Sequence, residues 1–269
     1  MNDSKRTTRR PAAKRGRRHP LATVALVAIG LLGTGGVYAL ATSSATAETT
    51  IQAQAQVEDG GKLFAANCAT CHGMALQGSA AGPSLIDVGA ATLDLQVGTA
   101  PMPKAHSGPQ AEQKPVQFTP EQISALAAYV DSVGGGPSIP TEEMLASGDD
   151  LAAGGELFRI NCAMCHNVAG AGGALTEGKF APPLTGVDSV HIWEAMVIGP
   201  QNMPVFNDQN ISPEDKANII AYLKYIETSP SVGGYALGSL GPVSEGLFIW
   251  IFGLGAIVGI TIWLTARSN

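Results

Sequence analysis

A thirteen-residue stretch occurs twice in this chain. Gly60–His72 reads GGKLFAANCATCH and Gly154–His166 reads GGELFRINCAMCH, identical at nine of the thirteen positions. Each copy ends in C-x-x-C-H: Cys68, Cys71 and His72, then Cys162, Cys165 and His166. Two thiols about one helical turn apart reach the two vinyl groups of one porphyrin as thioethers, and the histidine that follows stands against the iron as its proximal ligand. A redox dithiol or half of a zinc site needs neither the histidine directly after the second cysteine nor the repeated flanks. The pattern therefore predicts two covalently bound haem c groups. All four cysteines of the chain lie in it, so none is left for a structural disulfide. Covalent haem also implies assembly outside the cytoplasm.

The duplication runs well past the motif. Pro83-Ser84-Leu85 is matched by Pro182-Pro183-Leu184, and Leu95–Pro103 (LQVGTAPMP) aligns without a gap to Met196–Pro204 (MVIGPQNMP). Thr119-Pro120-Glu121 and Ser212-Pro213-Glu214 both read as helix starts, with the hydroxyl residue at the N-cap and proline first in the helix. Beyond them Leu126, Ala127, Tyr129 and Val130 correspond to Ile219, Ile220, Tyr222 and Leu223. The first copy alone carries a polar segment, Lys104–Gln117, between its Met-Pro step and its last helix. These matches predict an all-α fold of two tandem class I cytochrome c domains, 58–136 and 151–232, joined by a linker at 137–150. The helix carrying Cys68 is expected to begin near Asp59-Gly60-Gly61, after a polar linker at 48–57.

Each iron takes a second axial ligand or stays open. Met102 and Met203 are the candidates, 30 and 37 residues after their histidines and each followed by proline within the aligned block. A lone methionine is ordinarily core packing, but recurrence at matched positions points to ligation. A thioether favours the ferrous state and raises the potential above that of a bis-histidine haem. Met74, Met144, Met164 and Met196 lack a matched context and read as packing or surface residues. His106 lies in the segment absent from the second copy, and His191 has no counterpart in the first, so neither is expected on iron. His19 belongs to the basic N-terminus. With both irons six-coordinate, the protein should carry electrons and do no bond chemistry at the haem.

The ends of the chain read as membrane elements. Residues 1–20 hold eight of the sixteen lysines and arginines, while 43–245 hold seven against twenty-one acidic residues. A basic tail beside an acidic body is one pattern of nucleic-acid binders. Here the basic run meets an uncharged stretch, Leu21–Ala41, which fits a cytoplasmic flank better than a nucleic-acid role, and no nucleic-acid partner is expected. That stretch is long enough to span roughly 30 Å of hydrocarbon. It reads equally as a signal peptide, because Ala45-Thr46-Ala47 is a small-residue cleavage pattern and Gly33–Gly36 interrupts the apolar run. Residues 1–47 thus form a signal peptide or an anchor. At the other end, 233–245 is a juxtamembrane linker, and Gly246–Ala266 is an uncharged 21-residue transmembrane helix. It carries Trp250 and Trp263 near its ends and a G-x-x-x-G step at Gly255 and Gly259. Residues 267–269 are its cytoplasmic end.

Two tandem haem c domains, a basic exported N-terminus and a single C-terminal anchor resemble one family. It is the dihaem cytochrome c subunit of the actinobacterial quinol–cytochrome c reductase, the cytochrome bcc form of complex III. The resemblance covers nearly the whole chain. It implies a subunit of a cell-membrane respiratory enzyme, a translocase, with its haem domains on the extracytoplasmic side. Its partners would be a cytochrome b subunit, a Rieske iron–sulfur subunit that donates electrons, and a haem–copper terminal oxidase held in a supercomplex. Carried over, Cys68, Cys71, His72 and Met102 serve one haem, and Cys162, Cys165, His166 and Met203 the other. The alternatives are a dihaem subunit of another membrane oxidoreductase, a dihaem peroxidase with one open iron, and a haem-bearing structural or sensor module.

Overall fold

The computed structural model describes residues 20–106, 108–229 and 242–267. Residues 1–19, which hold the basic run and His19, Ser107, residues 230–241, which include the first part of the expected juxtamembrane linker at 233–245, and the last two residues lie outside the described residues. The chain divides into two compact units, Met1–Gln54 and Ala55–Asn269.

The described part of the first unit is helical. Its helix belongs to α1, Pro20–Asn67, which continues into the second unit. Its apolar stretch Leu21–Ala39 is fully exposed and long enough to cross a membrane. One expectation is corrected here. The polar linker at 48–57 is itself helical, so the helix leading to Cys68 starts far before Asp59. No proline stands between Leu21 and Asn67, and ETTIQAQAQV is rich in alanine, glutamine and glutamate, which lose little on entering a helix.

The second unit holds two similar helical domains. The first has the end of α1, the single turn α2 (Ala69–His72), α3 (Gly89–Gly98) and α4 (Pro120–Gly134). The short helix α5 (Glu142–Ala146), capped by Thr141, occupies the expected inter-domain linker. The second domain has α6 (Leu151–Asn161), α7 (Ala163–His166), α8 (Ser189–Ile198) and α9 (Pro213–Thr228). The second domain adds a two-strand antiparallel hairpin, β1 (Gly173–Ala174) with β2 (Phe180–Ala181), paired Gly173 to Ala181 and Ala174 to Phe180.

The predicted helix starts are realised by capping. Thr119 Oγ1 accepts from Gln122 N while Gln122 Oε1 accepts from Thr119 N at 2.9 Å, a complete capping box with Pro120 first in the helix. Ser212 Oγ accepts from Asp215 N at 3.1 Å. Each domain closes by packing its first helix on its last. Phe64 stacks with Tyr129 at 5.4 Å between centroids, and Phe158 with Tyr222 at 5.9 Å. Phe64, Leu126 and Val130 are fully buried at this crossing in one domain, as Phe158 is with Ile219 in the other.

The C-terminal segment comprises α10 (Pro242–Phe248), a π-helical stretch Ile249–Leu254, and α11 (Gly255–Arg267). Ser244–Arg267 is apolar and of spanning length, and none of it is buried. Arg267 lies over the Trp263 ring at 4.6 Å, a cation–π contact at the helix end.

Candidate haem sites

Both C-x-x-C-H segments fold alike. The first helix of each domain stops at the first cysteine, whose φ is −119° at Cys68 and −120° at Cys162, and a single helical turn follows. Asn67, shared by the two copies, donates from its side chain to Leu63 O at 2.8 Å, and Asn161 does the same to Leu157 O at 2.9 Å. Each asparagine thus ties its side chain back onto the last full turn of its helix, just before the first cysteine. His72 N and His166 N then bond to the carbonyls of Cys68 and Cys162 at 3.0 and 2.9 Å. Both thiols of a pair thus sit on one turn with the histidine directly behind.

The Pro-x-Leu loops have a definite job. His72 Nδ1 lies 2.8 Å from Pro83 O, and His166 Nδ1 lies 2.9 Å from Pro182 O. A carbonyl accepts only, so Nδ1 carries the proton and Nε2 is left with its lone pair free for a metal. His166 is buried, and that burial holds its imidazole below its ordinary pKa against the smaller opposing pull of Pro182 O, so it stays neutral. Neutral imidazole is the ligating form.

The thiols do not resemble a redox dithiol. Burial, with Cys165 beside it, pushes the Cys162 thiol up to about 11, and burial also raises Cys68. Reactive cysteines are shifted the other way. The donor set, two thiols, an imidazole fixed through Nδ1 and a methionine on the same core, fits haem c.

Met102 packs on the first domain's core together with Cys68, and Met203 packs on the core that buries Cys162. Among the other methionines Met74 and Met164 are 67% and 88% exposed, while Met196 is core at 2%. His106 is exposed, and His191 faces Asp94, its Nε2 3.5 Å from Oδ2.

Two lysines that sequence reasoning passed over brace the methionine loops. Lys114 Nζ donates to Ala100 O and Pro101 O at 3.1 and 3.2 Å and also to Pro103 O, so three carbonyls around Met102 share one ammonium. In the second domain Lys216, fully buried, donates to Asp208 Oδ1 and Ile211 O at 2.6 and 3.0 Å and holds the loop that follows Met203. Lys216 occupies the repeat position of Ile123, and a charge in an apolar slot was the sequence signal available.

The polar segment of the first domain is a strap across the second. Gln110 Nε2 donates to Phe180 O at 2.9 Å while Phe180 N donates to Gln110 Oε1 at 2.8 Å. Gln201 repeats the pattern in reverse with the backbone of Ala111, at 2.9 and 3.2 Å. A cavity of about 290 Å³ results, lined by Met102 and Lys104 from one domain and by Gln201 and Asn202, next to Met203, from the other.

The comparisons with known proteins agree with this architecture. A family model described as Cytochrome c matches residues 57–134, and one described as Cytochrome C oxidase, cbb3-type, subunit III matches residues 149–223. The chain is 41% identical over 268 residues to a protein of Corynebacterium efficiens named cytochrome bc1 complex cytochrome c subunit, covering 93% of this chain and 90% of that one. Proteins of the same name from Corynebacterium diphtheriae and Mycobacterium tuberculosis are 41% and 42% identical, over 95% and 97% of this chain and 97% and 98% of theirs.

Proposed function

The chain belongs to the family of cytochrome bc1 complex cytochrome c subunits, and we propose that it serves such a complex as a membrane-anchored dihaem relay. Electron transfer is the role that its two cytochrome c domains bring to an oxidoreductase complex. In the finer reading, Cys68, Cys71, His72 and Met102 hold one haem c, and Cys162, Cys165, His166 and Met203 hold the second. Bound there, haem c supplies a reversible one-electron couple, poised high by methionine ligation.

The chain's own residues do the rest. Pro83 O and Pro182 O orient the two imidazoles through Nδ1, and Lys114 and Lys216 brace the methionine loops. The observation that carries the relay is the cavity shared by Met102 and the neighbours of Met203, which brings the ligand loops of the two domains together. Electrons then enter from a Rieske iron–sulfur subunit next to cytochrome b, pass between the two sites, and leave to a haem–copper terminal oxidase in a supercomplex. The catalysis belongs to the complex, quinol–cytochrome c reductase, and no bond chemistry occurs at these sites. Ser244–Arg267 anchors the chain in the cell membrane with its haem domains outside and its C-terminus in the cytoplasm. Leu21–Ala39 is either a second anchor or part of a cleaved leader.

Purification in mild detergent, followed by mass spectrometry, a pyridine haemochrome assay and redox titration, tests all of this together. Two acid–acetone-resistant haems per chain, co-purifying cytochrome b and Rieske polypeptides, and reduction of both haems by quinol are expected. A single haem, extractable haem, or peroxide turnover by the isolated chain would overturn the reading.

A further inference from the structure

The two domains differ at one buried position in a way that packing does not explain. Helix α8 aligns with α3 without a gap, which sets Glu194 where the first domain has Leu93 and His191 where it has Ala90. Leu93 is 6% exposed, as a core leucine should be. Glu194 is 0% exposed, and among the described residues neither carboxylate oxygen has a hydrogen-bond partner. A buried carboxyl without a donor loses its hydration with no return, which destabilises the fold. Such groups in native proteins call for a partner.

The neighbours supply the rest of a ligand set. Helices α3 and α8 pack against each other across the seam between the domains. His191 stands one turn before Glu194 on α8, and Asp94 comes from α3. One ligand atom from each of the three lies within 4.8 Å of the others, and His191 Nε2 is 3.5 Å from Asp94 Oδ2. Gly98 keeps the approach open, since a Cβ there would stand 2.9 Å from His191 Nε2. Asp94 and His191 retain 22% and 17% exposure, so an ion has a way in and water can complete its shell.

We propose that Asp94, His191 and Glu194 form a site for a divalent transition-metal cation, of the zinc class, that ties the two cytochrome c domains together. One imidazole and two carboxylates are a borderline-hard donor set that suits zinc better than calcium or magnesium. Tetrahedral zinc would hold its ligand atoms about 3.3 Å apart, so the two carboxylates would have to turn inward toward the ion. The cation would give Glu194 its missing partner and neutralise the two carboxylates. The site uses no residue assigned to a haem, so it stands whether or not the relay reading does.

The test uses the full haem-loaded chain in detergent, in which thioether formation has removed the four thiols from competition. After chelator treatment, zinc is titrated by calorimetry, bound metal is counted by mass spectrometry, and the shell is read by X-ray absorption. One zinc per chain in a nitrogen–oxygen shell is expected, with affinity falling at least tenfold in H191N and D94N. Glu194→Leu restores the residue of the first domain. It is expected to keep the haem spectra and to melt no lower than the parent chain while abolishing uptake, which separates ligand loss from misfolding. No stoichiometric uptake, uptake unchanged in all three variants, or sulfur in the shell would overturn the proposal.

Discussion

Gly154 abuts the backbone carbonyl of Asn218 with no space for a side chain between them, and Gly60 meets Ala125 O in the same way in the other domain. The Gly-Gly pair that opens each repeat is therefore a helix-crossing device, with the second glycine resting on the ring of Tyr129 or Tyr222.

A methyl group at this crossing forces the first and last helices of the domain apart. Gly154→Ala is expected to destabilise the second domain by about 1–3 kcal/mol, the usual cost of overpacking a tight contact. Gly60→Ala is expected to do the same in the first. Thermal melts followed by circular dichroism, with haem content measured alongside, check both; a melt that does not move would refute the crossing.

Met102→Ala and Met203→Ala should each remove the sulfur-to-iron charge-transfer absorption of one oxidised haem and lower the potential of that haem alone. Optical spectra with redox titration read this. High-spin spectra in the unsubstituted protein would contradict methionine ligation outright.

Lys114→Ala removes the ammonium that bridges Ala100 O, Pro101 O and Pro103 O. Hydrogen bonds from a charged donor contribute about 1.5–3 kcal/mol each, discounted here because Lys114 is only partly buried. The Met102 charge-transfer band should then vanish at lower denaturant concentration, while the band from Met203 holds. Equal loss of both bands would show that Lys114 acts elsewhere.

Gln110→Ala with Gln201→Ala deletes four hydrogen bonds between the domains, each worth about 0.5–1.5 kcal/mol. Slower exchange between the two haems after rapid one-electron reduction is the expected result, with each haem's own spectrum unchanged.

Much of this architecture was legible because the chain states it twice. The C-x-x-C-H motifs, the Pro-x-Leu loops, the capped helix starts and the Met-Pro steps each recur, and the structure gives Pro83 and Pro182 a role at the histidines. The continuity of helix α1 was missed because the polar stretch at 48–57 read as a linker, although no proline there bars a helix. The hairpin β1–β2 has strands of two residues, too short to leave a periodic pattern. Glu194 and Lys216 escaped notice for the opposite reason. Read alone, each is one more charged residue on a helix; read against Leu93 and Ile123, each is a charge set in an apolar slot.

The strap formed by Gln110 and its neighbours has a kinetic consequence. Two separate carriers must find each other by diffusion, at a rate set by concentration and weakened by salt wherever charge guides the encounter. Fusing them on one chain and lashing one onto the other converts that meeting into a first-order event. Passage between these two centres should therefore be indifferent to dilution and ionic strength, leaving only the entry and exit steps for the cell to regulate.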